Sequence, residues 1–346
     1  MNKKALESYL NDFLYPGLSR SLGELNLIDD VKVKDKKATI ILSAVSEESY
    51  LAIKAGLTDQ LKSTYDSLDI QQKMQAPKDK NYGDTKAPNN RAPYAKNVIA
   101  VTSGKGGVGK STVSANLAIA LAQEGHTVGV LDADIYGPNM PRILGTDLER
   151  MKWNDNDKMV PSENFGIKVM SVALTTPTMD TPLVWRSSVA ISALLQFLED
   201  VEWGELDFLV IDMPPGTGDI QLTMAEELPI SAAVLVTTPQ VVALDDVSRA
   251  IMMFKEIGVK IGGVVENMSY FIAPDTGNRY DIFGKDGGQR VADKYEIPLL
   301  GQVPLDTEIR ELSDKGTPPV AVGSDAQKGY YKEIVQNLLK SSNFNL

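Results

Sequence analysis

The sequence predicts a doubly wound α/β domain with a parallel sheet, preceded by a small α+β domain. From Asn97 onward, apolar β-branched runs alternate with helical stretches, and the runs are apolar at consecutive positions. Strands that are apolar on both faces are typical of a parallel sheet covered by helices. The segment before them is rich in Pro, Asn, Lys and Gly, as linkers are. We therefore expect domains at 1–75 and 97–346, joined by a linker at 76–96.

The small domain is predicted to begin with a helix over Ala5–Leu14. Two strand-like runs follow, Val31–Val33 and Ala38–Ser43, separated by a charged KDKK turn. Helical periodicity then covers Glu48–Ser67, and Ile70–Met74 is expected to be a further strand.

The large domain is predicted to contain seven strands. In chain order they are VIAVTS, TVGVLDAD, IKVMSVAL, DFLVIDMPP, AAVLVTT, KIGGVVENM and IPLLGQVP. The last helix is expected at Ala326–Lys340. Its apolar side, which includes Tyr331 and Leu338, could face a membrane, but it carries few cations, so packing on the sheet is favoured.

Composition limits where the protein acts and what it binds. The chain is 43% hydrophobic with a mean hydropathy of −0.14. It has no apolar run of 18 residues and no secretory signal, so we expect a cytoplasmic protein without stable membrane insertion. The net charge is −11. Most of it falls after residue 96, which disfavours binding to nucleic acid.

Cysteine is absent, and His126 is the one histidine among the 346 residues. Without thiolates the chain can form no disulfide and can ligate no iron–sulfur cluster by cysteine. His126 follows a predicted helix and precedes a predicted strand, so an exposed turn residue is expected there.

A glycine-rich loop, SGKGGVGKST at 103–112, joins the first large-domain strand to a helix, which is the context of a phosphate-binding loop. Its backbone N–H groups and the helix N-terminus would surround phosphate oxygens. Lys110 would reach the β- and γ-phosphates, Ser111 would ligate Mg²⁺, and Thr112 would support the α-phosphate side. The loop residues expected to contact ATP are Gly104, Lys105, Gly106, Gly107, Val108, Gly109, Lys110, Ser111 and Thr112. These features predict a P-loop ATP hydrolase.

Carboxylates follow two of the predicted strands. Asp132 and Asp134 end VLDAD, and Asp212 ends DFLVID. Functional groups of α/β proteins gather at the carboxyl ends of parallel strands, so we expect these three residues near the loop.

An early lysine, Lys105, gives the loop the pattern K-G-G-x-G-K-S/T, which resembles the deviant Walker A motif of the MinD/ParA/nitrogenase-iron-protein class. The resemblance implies a nucleotide-sandwich homodimer in which Lys105 reaches the partner's ATP. It also implies that Asp134 positions or deprotonates the attacking water and that Asp212 holds Mg²⁺ through water. Asp132 would support Mg²⁺ or the loop.

Two further positions take a role from the same resemblance. Asn267 ends the strand KIGGVVENM, where this class often has an asparagine against adenine, and the region of Pro304 would flank the base. A hydrogen bond to a neighbouring loop is the alternative role for Asn267.

The motifs SGKGGVGKST, LDADIYGPNMPR, IDMPPGTGD, TTPQVVALDDV and ENMSYF, in this order, resemble those of the Mrp-type iron–sulfur cluster carrier ATPases (the ApbC group). IYGPNMPR and PPGTGD separate this group from MinD and ParA. Residues 1–75 resemble the small domain that often precedes the ATPase. The resemblance implies ATP-dependent transfer of a cluster to apo-proteins, and partners among apo-proteins or scaffold proteins.

The usual cluster ligands, a C-P-x-C pair after ENMSYF, are missing. The corresponding positions hold Ala273 and Thr276, with Asp275 between them. An iron–sulfur cluster is therefore implied by the family but not supported by the chain's own side chains, and we expect direct binding to be lost or provided by a partner. The alternatives are a MinD/ParA-like positioning ATPase, or an adaptor whose nucleotide is structural.

Overall fold

The computed structural model divides into two compact units, residues 1–86 and 87–346. The residues that the structure describes are 1–15, 21–25, 27–43, 47–72, 89–176, 185–342 and 344. Most of the expected linker at 76–96, and Met74 of the expected strand, lie outside them.

The first unit packs two helices against a three-stranded sheet. Its elements are α1 (Lys3–Asp12), β1 (Ile28–Lys34), β2 (Lys37–Leu42), α2 (Glu47–Leu61) and β3 (Ser67–Gln72). The strand order is β1-β2-β3, with β1 and β2 antiparallel and β2 and β3 parallel. Leu6, Leu10, Ile40, Ile53 and Leu57 are fully buried between the layers.

Two predicted helix ends in this unit are wrong. Helix α1 ends at Asp12 rather than Leu14, because Phe13 is already extended. Helix α2 ends at Leu61 rather than Ser67. The chain turns after Leu61, and β3 begins at Ser67. The N–H of Ser67 donates to the carbonyl of Lys36, just before β2.

The second unit holds one eight-stranded sheet. Its strands are β4 (Ala95–Ser103), β5 (Val128–Asp132), β8 (Ser162–Asn164), β9 (Ile167–Ser171), β10 (Leu206–Asp212), β11 (Ile230–Thr237), β12 (Ile261–Glu266) and β15 (Leu299–Gln302). Two small ribbons are formed by β6 (Lys152–Trp153) with β7 (Met159–Val160), and by β13 (Phe271–Ile272) with β14 (Arg279–Tyr280).

Nine α-helices accompany these strands in the described part of the unit. They are α3 (Lys110–Gln123), α4 (Met140–Ile143), α5 (Ser187–Asp200), α6 (Asp219–Glu227), α7 (Val241–Glu256), α8 (Gly287–Tyr295), α9 (Thr307–Asp314), α10 (Pro319–Val322) and α11 (Asp325–Ser341).

The sheet order is β15-β12-β11-β4-β10-β5-β9-β8, and every neighbouring pair except β9 with β8 is parallel. Ile99 and Val101 of β4 pack into the cluster that contains α3 and α11, whereas Val98 and Ala100 pack into the opposite cluster with α5 and α6. Both faces of the sheet are therefore covered, as the continuous apolar runs predict.

All seven strands expected from the sequence are confirmed in this sheet. The antiparallel edge strand β8 was not predicted. It is only three residues long, and a two-residue turn with positive φ at Phe165 and Gly166 connects it to β9.

Helix α11 packs on the sheet, since Tyr331, Ile334, Val335 and Leu338 are buried in the main core. Among the described residues, no helix has the length and apolar character needed to cross a membrane. His126 lies in the expected turn but is half-buried, with its ring edge against Phe208 at 5.0 Å between centroids, so the expectation of an exposed residue was wrong.

Candidate functional site

The loop between β4 and α3 forms one wall of a cavity of about 440 Å³ at the carboxyl edge of the sheet. The cavity is lined from the loop by Ser103, Lys105, Gly106, Gly107, Gly109, Lys110, Ser111 and Thr112. From other segments it is lined by Asp134, Gly137, Asn139, Arg142, Ile143, Pro215, Ser313 and Asp314. Gly104 and Val108 lie outside the lining. Gly104 packs so closely on α7 that a Cβ would meet Asp246, and Val108 is buried.

Lys110, which lines the cavity, forms an ion pair with Asp212, which is fully buried behind the lining. The Lys110 Nζ lies 2.8 Å from Asp212 Oδ2, and only 6% of the lysine side chain is exposed. The Ser111 hydroxyl donates to Asp212 Oδ2 at 2.7 Å, and the Ser114 hydroxyl to Asp212 Oδ1 at 2.6 Å. Both oxygens of a fully buried carboxylate are thus satisfied by the helix that follows the loop.

Asp132 is bonded within the protein at both oxygens. Oδ1 accepts the N–H of Asp134, while Oδ2 accepts the N–H of Met140 and the hydroxyl of Ser171. Burial raises the pKa of this carboxyl, and the nearby charge of Asp212 raises it further. These contacts hold Asp132 to the segment 134–140 and to Ser171, and its expected support of the phosphate loop stays a prediction. A part in holding Mg²⁺ stays a prediction.

Asp134 faces the cavity with a partly exposed carboxylate. Its Oδ2 lies 4.0 Å from the Nζ of Lys110. Partial burial raises the pKa of Asp134, although Lys110 and the N–H of Gly137 favour the ionised form. A carboxylate with a raised pKa is a better proton acceptor, which is what a general base requires.

Asn267 contacts the phosphate loop. Its Nδ2 donates to the carbonyl of Val108 at 2.8 Å, and the same nitrogen lies only 2.1 Å from the place where Gly109 would carry a Cβ. The side chain therefore makes the loop contact that the sequence left as the alternative. A contact with adenine remains a prediction, as does the role of Pro304, which is buried just after β15.

Lys105 lies along its own protomer. Its Nζ is 3.4 Å from the Oε1 of Gln240, at the start of α7. The single long hydrogen bond is weak. The side chain can thus leave this position at small cost, and its role across a dimer interface stays a prediction.

The segment in place of the cysteine pair is a short hairpin between β13 and β14. The N–H of Ala273 donates to the carbonyl of Asn278 at 2.9 Å, and that of Gly277 to the carbonyl of Ala273 at 2.8 Å. Thr276 is exposed at the tip. Among the described residues, no three His, Cys, Asp or Glu side chains are grouped as they would be around a metal ion.

Sequence reasoning missed several residues of the site, and three of them make contacts that matter here. Ser114 follows the loop motif by two residues and holds Asp212. Arg142 lies in IYGPNMPR and lines the cavity. Gln221 bonds to the PPG turn. Arg142 lies within a motif, and Ser114 and Gln221 each lie two residues after one. The direction of a side chain in or beside a motif cannot be read from the sequence.

A parallel sheet, a glycine loop ahead of a helix, and a lysine, a serine and an aspartate at one point define the P-loop NTPases. A family model described as ParA, "NUBPL iron-transfer P-loop NTPase", matches residues 94–339. The chain belongs to this family of iron-transfer P-loop NTPases.

The chain is similar to curated proteins called "iron-sulfur cluster carrier protein". It is 48% identical to the one of Aquifex aeolicus over 237 residues, which cover 68% of this chain and 65% of that protein. It is 41% identical to the one of Synechocystis over 315 residues, 88% of this chain and 87% of that protein. The match thus spans a little less than two thirds of the Aquifex protein.

Solved structures give the same fold. A nucleotide-binding protein from Archaeoglobus fulgidus in complex with ADP has a TM-score of 0.58 and 39% identity, and the match covers 66% of this chain and 89% of that one. The cell division ATPase MinD of Pyrococcus furiosus has a TM-score of 0.52 and 25% identity, over 71% and 99% of the two chains.

Proposed function

We propose that the protein is a Mg²⁺-dependent ATPase that acts in the delivery of iron–sulfur clusters to apo-proteins. The observation that carries the ATPase part is that Lys110 and Ser111 of the loop both contact Asp212, at 2.8 and 2.7 Å. The ADP-bound relative from Archaeoglobus supports a nucleotide in the same fold.

The oxygens of Ser111 and Asp212 fit Mg²⁺, because this ion prefers hydroxyl and carboxylate ligands close to substrate phosphates. These two residues would hold the ion, which would neutralise charge on the phosphates. Asp212 is the stronger candidate of the two aspartates because it contacts both Lys110 and Ser111, whereas the hydrogen bonds of Asp132 come from Asp134, Met140 and Ser171.

In hydrolysis, a water oxygen forms a bond to the γ-phosphorus, and the bond to the β,γ-bridging oxygen breaks, so that ADP leaves with the electron pair. Asp134 is the proposed base, which takes one water proton and returns it to inorganic phosphate. Lys110 stabilises the negative charge on the γ-phosphate oxygens. Lys105 of a second copy would complete the site in a homodimer, after leaving Gln240.

The carrier role rests on the family and on the similarity to cluster carrier proteins. A cluster is held by thiolates, and the chain contains none. We therefore propose that the cluster, as cargo, is bound by a partner such as a scaffold protein while this chain supplies the nucleotide-dependent step. The buried apolar side of α11 argues against the membrane-positioning alternative.

The ATPase part is tested with Lys110→Ala. We expect at least a hundredfold loss of kcat relative to the parent, because the γ-phosphate loses its buried cation. Lys152→Ala, on the exposed ribbon, is the matched control and should behave as the parent. Equal turnover in the Lys110→Ala variant would refute an ATPase at this site.

The cargo part is tested by anaerobic reconstitution with iron and sulfide, followed by visible absorption and iron analysis. We expect no stable cluster on the purified chain. Affinity capture from cells with Asp134→Asn, a variant meant to trap the ATP-bound state, should enrich iron–sulfur apo-proteins or scaffold proteins. A stoichiometric cluster on the chain alone, or capture of division proteins, would contradict this proposal.

A further inference from the structure

The side chain of Gln221 is enclosed by the turn that follows the strand of Asp212. Gln221 is only 1% exposed, although it lies in the first turn of α6. Its Nε2 donates to the carbonyl of Pro214 at 2.9 Å, with the carbonyls of Gly216 and Pro215 at 3.1 and 3.4 Å. Its Oε1 accepts the N–H of Gly218 at 2.9 Å. One amide thus contacts four of the five residues at 214–218.

The same turn is bonded to the strand that leads into the phosphate loop. The N–H of Met213 donates to the carbonyl of Val101 at 2.9 Å, and that of Gly216 to the carbonyl of Ser103 at 2.8 Å. Pro215 lines the cavity. The turn is therefore held on one side by the backbone of β4 and on the other by a single side chain.

A purely structural role would be that of a helix cap, since Gln221 is the third residue of α6 and accepts the N–H of its N-cap residue, Gly218. Capping uses only the oxygen of the amide. The nitrogen has no part in it, yet lies within 3.5 Å of three carbonyls of the turn. The donor half of the side chain thus acts on the turn and not on the helix.

We infer that Gln221 is a positioning residue that fixes the 214–218 turn against the phosphate cavity and thereby supports hydrolysis. The inference rests on the proposed ATPase function. Fixing the turn holds Pro215 at the cavity wall, so that this wall is in place before the nucleotide arrives. Gln221 does not touch the nucleotide and acts through the backbone of the turn.

The test compares Gln221→Met with Gln327→Met. Gln327 is the matched control, because it is also buried, also the third residue of a helix, and also accepts the N–H of its N-cap residue, Ser324. It does not line the phosphate cavity. Methionine keeps the length of the side chain and removes both hydrogen-bonding halves.

Two quantities are measured on the full chain. The first is backbone hydrogen exchange at Gly216 without nucleotide. This N–H bonds to Ser103 and not to Gln221, so it reports on the turn itself. The second is steady-state ATP hydrolysis. We expect exchange at Gly216 to be about tenfold faster in Gln221→Met, with a roughly tenfold lower kcat and a KM within about twofold of the parent. Gln327→Met should change neither quantity.

Unchanged exchange at Gly216, or a loss of kcat no greater than in the Gln327→Met control, would overturn the inference. If Gln221→Met does not fold, Gln221→Glu replaces it, because the carboxylate still accepts from Gly218 but no longer donates to the three carbonyls. If the parent protein hydrolyses no ATP, the proposed function fails. The exchange comparison then still decides whether Gln221 fixes the turn.

Discussion

At the residue scale, Gly109 and Asn267 show how one position of the phosphate loop depends on a distant side chain. Gly107 and Gly109 both have φ of 82°, a conformation in which glycine is favoured. They differ in their surroundings, since nothing lies within 4 Å of a Cβ at Gly107, whereas a Cβ at Gly109 would meet the Asn267 amide. Comparing the same substitution at the two glycines therefore separates the effect of backbone strain from that of steric overlap.

We expect Gly109→Ala to destabilise the protein more than Gly107→Ala. Both variants should lose about 1 kcal/mol from the positive φ, and Gly109→Ala should lose more because the methyl group displaces Asn267. Urea denaturation measures the difference. The double variant Gly109→Ala with Asn267→Ala should recover part of the extra loss. Equal losses in the two single variants would contradict this explanation.

How far residues could be predicted depends on how local their contacts are. The phosphate loop was recognised because its glycines, lysine and serine are neighbours in the chain. The bond from Asn267 to Val108 joins residues 159 positions apart, so sequence reasoning could only leave it as an alternative. The roles of Ser114 and Gln221 were missed for a related reason. A buried serine or glutamine in a helix carries no signal of its partner until the fold is known.

At the element scale, Asp207 ties together the starts of three neighbouring segments of the sheet. Its Oδ1 accepts from the Lys96 Nζ at 2.7 Å, and its Oδ2 accepts from the N–H of Thr127 at 2.9 Å. The ammonium of Lys96, together with the hydrogen bonds from Thr127, lowers the pKa of Asp207 from its ordinary value near 3.8 to about 2. The folded state thus favours the ionised form of Asp207. This residue lies near the start of β10, at the opposite end of the strands from the phosphate cavity.

This lowered pKa predicts a dependence of stability on pH. The stabilisation is fully present above about pH 5 and is lost as the pH falls from about 4 towards 2, since the unfolded chain then binds the proton more readily. At pH 7 we expect Asp207→Asn to lower the free energy of unfolding by about 1 kcal/mol, a value reduced for solvent screening.

Urea denaturation of the parent and of Asp207→Asn between pH 7 and the lowest pH at which both fold is the measurement. Asp155→Asn, in an exposed turn, is the control. The gap between the parent and Asp207→Asn should shrink with acid. A gap that is constant over the whole range would show that the charge has no part in it.

The elements themselves were largely predictable, and the exceptions have a physical cause. The central strands β4, β10 and β11 are buried on both faces, so their apolar runs stand out. Strand β8 is a three-residue edge strand whose middle residue, Glu163, is exposed, and it carries no such run. The predicted end of α2 is too late because helical periodicity in the sequence continues past Leu61. In the structure Ser67 already pairs with Lys37 in the sheet, so the helix has to end before it.

At the scale of the whole molecule, each unit has its own hydrophobic core. The cluster around Leu6, Leu10 and Leu57 contains residues of the first unit alone, and the three other clusters contain residues of the second unit alone. Separate cores are what independent folding units require. The expected domains, 1–75 and 97–346, remain predictions as functional units.

We therefore expect two unfolding transitions by scanning calorimetry. Leu57→Ala should lower the midpoint temperature of one transition, because it leaves a cavity in the first core. The corresponding free energy of unfolding should fall by about 2–5 kcal/mol. Leu338→Ala should lower the midpoint temperature of the other transition. MgATP at a concentration about one hundred times its Kd should stabilise only the unit whose transition Leu338→Ala affects. Its free energy of unfolding should rise by about 2.7 kcal/mol. A single transition shifted by all three changes would show that the units unfold together.

The hairpin between β13 and β14 shows how a pair of metal-binding side chains can be gained or lost at positions 273 and 276. Its shape is set mainly by the backbone hydrogen bonds at Ala273, Gly277 and Asn278. The side chain of Thr276 adds one long bond, in which its hydroxyl accepts the N–H of Asn278 at 3.4 Å. Exchanging those two side chains would leave the surrounding architecture standing. A lineage could therefore acquire or discard metal-binding thiols here by two amino-acid substitutions, while the phosphate-binding loop stays as it is.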